Sequence, residues 1–83
     1  TARKRKMNFS QQHALKTLPG QIAELEKKIA ALQTRLTKAD FYARDPQGFM
    51  AASSDLGNMQ AELAEHEHRW LELEMLREET EGA

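Results

Sequence analysis

The chain has 83 residues, with 12 Lys/Arg against 13 Asp/Glu, 40% apolar residues, 6% aromatics and no Cys. That length holds one small domain, in which a globular core is marginal and paired helices are an economical solution. The composition excludes a transmembrane helix, since no run of 18 apolar residues occurs, and it excludes a disulfide scaffold, a thiolate metal site and a Cys nucleophile.

Residues 1–7 form a basic arm that contains Arg3, Lys4, Arg5 and Lys6 in succession. A run of like charges repels itself and stays solvated, so the arm reads as the end of a linker. No apolar h-region follows it, so it is not a signal peptide. A start at Thr1 rather than Met is expected of a piece cut from a longer protein. Residues 8–83 then read as one helical domain. Asn8 and Gln11 have the spacing of a capping box, with a short helix predicted over about 9–17. Pro19 is expected to interrupt that helix and to serve as the first residue of the next, over 19–39.

From there a heptad seam is clear. Ile22, Leu25, Ile29, Leu32 and Leu36 alternate at spacings of 3 and 4, with Ala39 as the last position. Leu15 and Leu18 extend the same phase backwards, which lets the short helix pack in line with the long one. Residues 40–45 break the period. Asp45-Pro46 is an N-cap followed by a first-turn proline, and a second long helix is predicted over 46–79. Its seam is Phe49, Ala52, Leu56, Met59, Leu63, His66, Trp70 and Leu73. Gly48 and Gly57 read as weak points of about 1 kcal/mol each relative to Ala. Two heptad helices joined by a short loop lie antiparallel. The expected fold is therefore all-α: a short N-terminal helix followed by a two-helix antiparallel coiled-coil hairpin, monomeric because each helix complements the other.

The net charge of −1 conceals a division. Residues 1–44 carry ten Lys/Arg and three Asp/Glu, a net +7, and residues 45–83 carry two and ten, a net −8. Such a division is expected of a nucleic-acid face on the first half, of two halves that pair with each other, or of both. Folding about residues 44–45 sets Lys28 opposite Glu62 and Arg35 opposite Asp55, two complementary pairs.

Chemistry-bearing motifs are few. There is no G-x-x-x-x-G-K-[ST] or other glycine-rich phosphate loop, so no nucleotide site and no enzymatic role is assigned to these residues. Glu65 and His68 have the Glu-x-x-His spacing of carboxylate-bridged metal bundles, but that chemistry needs a second copy on a facing helix, where the seam is Leu and Ile. His66 and His68 point to opposite sides of a helix, and no metal or other cofactor is expected. Trp70 reads as a core anchor. Phe41 and Tyr42 either close the end of the hairpin or stand exposed there to touch a base or a partner.

The order K-M-N-F-S-x-Q-x-x-L-x-x-L-P (6–19), an I-x-x-L-E-x-x-I-x-x-L seam (22–32), D-F-Y-A-R-D-P-x-x-F (40–49) and R-W-L-E-L-E (69–74) resembles the C-terminal domain of Uup-type ABC-F ATPases over nearly the whole chain. Those proteins carry two ATPase cassettes and no membrane domain. The resemblance implies a coiled-coil hairpin attached by a basic linker to the second cassette. It also implies a cytoplasmic setting, ATP and Mg in the parent protein, ribosome association and binding of nucleic acid, mainly DNA. Together with charge placement it points to Arg3, Lys4, Arg5, Lys6, Lys16, Lys27, Lys38 and Arg44 as sequence-independent phosphate contacts. The alternative is a protein-interaction or spacer coiled coil that contacts the parent's own cassettes or the ribosome. Glu67 stands where the family often has Tyr, and Asn8 where many relatives have Ser or Thr.

Overall fold

The computed structural model describes residues 7–81. The chain forms α1 (Phe9–Leu36), a one-turn helix α2 (Phe41–Arg44) and α3 (Pro46–Glu81), with no strand among the described residues. α1 and α3 pack along their lengths as an antiparallel hairpin, a rod of 65 × 17 × 17 Å. No helix among the described residues is long and apolar enough to cross a membrane.

The capping box at the start of α1 is complete. The Gln11 amide donates to Asn8 Oδ1 at 2.7 Å, and the Asn8 amide donates to Gln11 Oε1 at 3.0 Å. At the start of α3, Asp45 Oδ1 accepts from the Gly48 amide at 2.9 Å, with Pro46 in the first position. Both ends thus satisfy backbone donors that a helix leaves without partners.

Every residue of the two predicted seams from Leu15 to Leu36 and from Phe49 to Leu73 is buried or half-buried. Leu18, Leu25, Ile29, Ala52 and Leu73 are the buried apolar residues. The expected register also holds. Lys28 and Glu62 line one groove between the helices, Ile22 and Glu67 another, and Leu15 and Glu74 a third.

Three local expectations need correction. The break at Pro19 does not occur, and the predicted helices over 9–17 and 19–39 are one continuous α1 that contains Pro19. An interior proline costs a helix roughly 3 kcal/mol, but a break would uncover what lies before it. Leu18, next to the proline, is only 4% exposed, and burying one Leu is worth about 1.5–3 kcal/mol. Leu15 adds to that, and tertiary packing keeps the helix continuous through the local fault. Second, α1 stops at Leu36 rather than Ala39. Thr37 ties off the last turn: its amide reaches the carbonyls of both Gln33 and Thr34 at 3.2 Å, and its hydroxyl donates to the Thr34 carbonyl at 2.7 Å. Ala39 is left exposed outside the helix. Third, Gly48 is not a weak point. A Cβ at this position would collide with the Asp45 carboxylate that caps α3.

Candidate nucleic-acid interface

The basic arm residues Arg3, Lys4, Arg5 and Lys6 lie outside the described residues. Lys16, Lys27, Lys38 and Arg44 are all exposed. They do not make one patch but two groups. Lys16 and Lys27 stand on α1 eleven residues apart, or three turns, about 16 Å along the axis, and Lys16 borders grooves that also hold Glu62 and Glu74 of α3. Lys38 follows α1 in the turn and Arg44 ends α2, so both belong to the hairpin tip.

The two groups differ in how far their charge is taken up. Arg44 donates to Asp40 Oδ2 at 3.1 Å, one turn of α2 away, with both side chains largely in solvent. Lys16, Lys27 and Lys38 form no ion pair with another described residue, and neither does Lys28. The expected Lys28–Glu62 and Arg35–Asp55 bridges are therefore not formed, although Lys28 and Glu62 line the same groove. An exposed pair gains about 0.2–1 kcal/mol at best, and holding two long side chains in one geometry costs comparable entropy. The packing of the two helices rests on the apolar seam, which is buried or half-buried throughout. The acidic helix also makes contacts within itself: Arg77 donates to Glu74 at 2.6 Å, and His68 Nε2 lies 3.0 Å from Glu72 Oε1.

Arg35 has a different neighbour from the one expected. Its guanidinium lies 4.9 Å from the centroid of the Phe41 ring, a cation–π contact. Phe41 packs edge-on against Phe49 at 5.5 Å, and the Tyr42 ring stands at 90° to Phe49 at 5.3 Å. Phe41 and Phe49 are half-buried and so close the end of the hairpin, whereas Tyr42 keeps 58% of its surface exposed. Phe41 thus closes the end of the hairpin, and Tyr42 stands exposed there.

Trp70 is half-buried rather than enclosed, at the edge of a groove formed with Pro19, Ile22, Glu67 and Leu71. His66 is half-buried in the seam and His68 is exposed. Among the described residues no group of three or more His, Asp or Glu is placed to hold a metal ion. Sequence reasoning set Lys28 aside as an ion-pair partner. The only signal that could have returned it to the basic face is the weakness of exposed pairs.

Residues 6–75 match the family profile of the ABC transporter C-terminal domain. The chain is also similar to the ATP-binding protein Uup of Escherichia coli (strain K12), at 31% identity over 72 residues. That alignment covers 87% of this chain and 11% of Uup, so the chain spans about a ninth of the length of the curated relative it matches. No solved structure matches it significantly.

Proposed function

The chain belongs to the ABC transporter C-terminal domain family, and on that premise we propose that it is the nucleic-acid-binding accessory domain of an ABC-F ATPase. The observation that carries this reading is that three exposed lysines of α1 are left without ion pairs among the described residues. Lys16, Lys27 and Lys28 are exposed and form no ion pair with a described residue, although a helix rich in Glu lies alongside. Cations that a neighbouring acidic helix leaves unpaired are available to phosphate.

The mechanism is electrostatic. Each lysine that neutralises a phosphate releases condensed counterions, which gives affinity without reading sequence. The arm Arg3–Lys6 adds four cations at the same end of the chain from which α1 starts. The acidic α3 repels phosphate and confines the contact to the α1 side. In the parent protein the ATP and Mg would belong to the cassettes, in the cytoplasm, and this domain would supply a grip on DNA, with ribosomal RNA as the competing ligand.

A second reading has one observation in its favour. Leu71 and Met75 stand one turn apart on α3 with 53% and 59% of their surface exposed, next to the Pro19–Ile22–Trp70 groove. That flank suits a protein partner, such as the parent's own cassettes or a ribosomal protein.

Fluorescence anisotropy with duplex DNA, single-stranded DNA and structured RNA at about 50 and 200 mM salt tests the proposal. Four engaged phosphates predict roughly a hundredfold loss of affinity between those concentrations. Absence of binding at low salt overturns it and transfers the domain to protein partners.

A further inference from the structure

We infer that the hairpin tip is a platform for an unpaired nucleobase, with Tyr42 as the stacking ring and Lys38, on the same tip, as a phosphate contact. This inference rests on the nucleic-acid reading above and specifies which form of nucleic acid the tip takes.

Most groups at the tip are already engaged. Arg35 is held over the Phe41 ring. Asp40 is bound by Arg44. Asp45 is bound to the Gly48 amide, where it caps α3. Phe41 and Phe49 are turned into the hairpin and packed on each other. Each of these residues has a structural task. Two keep a group open to a ligand: Lys38, which has no described ion-pair partner, and Tyr42, which meets Phe49 edge-on yet leaves more than half its surface in solvent. Tyr42 is exposed yet fixed, because its ring stands perpendicular to Phe49 on the first turn of α3. An aromatic ring with a fixed position and a free surface, on a one-turn helix that follows an unpaired lysine, has the two elements of sequence-tolerant single-strand recognition. The tip from Arg35 to Asp45 carries three cations and two carboxylates, a positive balance that favours a phosphate-bearing partner over an acidic one. Within a duplex both faces of a base are covered by its neighbours, so a single strand or an unpaired loop is the ligand that can use Tyr42.

The test compares wild type, Tyr42→Ala and Tyr42→Phe by anisotropy at about 50 mM salt, with labelled oligothymidine and a duplex of the same length as probes. Tyr42→Ala is expected to weaken oligothymidine binding by about 5- to 150-fold, the usual yield of one stacked base. Tyr42→Phe is expected to retain the wild-type affinity, and all three proteins should bind the duplex equally. Should circular dichroism show that Ala loosens the hairpin, Tyr42→Leu keeps apolar contact with Phe49, lacks the stacking face, and is read in the same way. Equal binding of oligothymidine by wild type and by a folded Ala or Leu variant overturns the inference and leaves the α1 interface standing. So does a wild type that binds duplex but no single strand. A wild type that binds neither probe overturns both readings and leaves the tip to a protein partner.

Discussion

Two glycines of α3 give opposite answers to the same substitution. Gly57 lies in the helix interior with nothing within 4 Å of where a Cβ would stand, and no glycine among the described residues has positive φ. Gly57→Ala should therefore recover the full difference in helix propensity, about 1 kcal/mol. In a domain of this size that corresponds to a rise in Tm of roughly 4–8 °C. Gly48→Ala gains the same backbone term but sets its methyl group on the Asp45 carboxylate. That carboxylate must swing away, and the bond from the Gly48 amide, 2.9 Å long, is then strained or lost. Loss of an N-cap costs about 0.5–2 kcal/mol, so the net effect of Gly48→Ala lies between a gain of about 0.5 and a loss of about 1 kcal/mol, below the gain at Gly57 throughout. Thermal melts of both variants followed at 222 nm by circular dichroism measure the difference directly. Equal stabilisation by the two substitutions would refute the reasoning, because it would mean that the Asp45 cap contributes nothing to α3. A further variant, Asp45→Ala combined with Gly48→Ala, should cost no more than Asp45→Ala alone, since the clash and the cap disappear together.

Other consequences can be checked on the same protein. Simultaneous Lys16→Glu, Lys27→Glu and Lys28→Glu should leave helicity unchanged and lower the slope of log affinity against log salt by about 2.7; an unchanged slope in the anisotropy titration would take these lysines of α1 out of the interface. Trp70→Ala should destabilise the hairpin by about 1.5–3 kcal/mol in urea unfolding, less than the loss at an enclosed core position because Trp70 is half-buried. A change below about 0.5 kcal/mol would show that its contacts with Pro19 and Ile22 contribute little.

Much of this architecture is legible in residue order because it depends on periodicity and local hydrogen bonding. The seam from Leu15 to Leu36 and from Phe49 to Leu73 follows from spacings of 3 and 4, since a helix returns to the same face at that interval. The Asn8–Gln11 box and the Asp45-Pro46 start need only neighbours three residues away, and the antiparallel arrangement follows from two heptad helices joined by a short loop. The family resemblance was legible for a related reason: its motifs lie at the caps, the turn and the seam.

What the sequence left undecided depends on competition between distant groups. Pro19 reads as a break by every local rule, and only the burial of Leu18 against α3 shows that continuity costs less. The Arg35 charge reads as a partner for Asp55 until the turn brings the Phe41 ring beneath it. Gly48 reads as a fault until the Asp45 side chain occupies the space that a methyl group would need. Lys28 reads as spent on Glu62, yet the two side chains share a groove without bonding, because solvent screening leaves an exposed pair almost nothing to gain. Periodicity and capping are properties of the chain along its length and were determined by the sequence alone. Which charges stay free and which ring stays open are settled across the gap between two helices, and only the tertiary structure decides them.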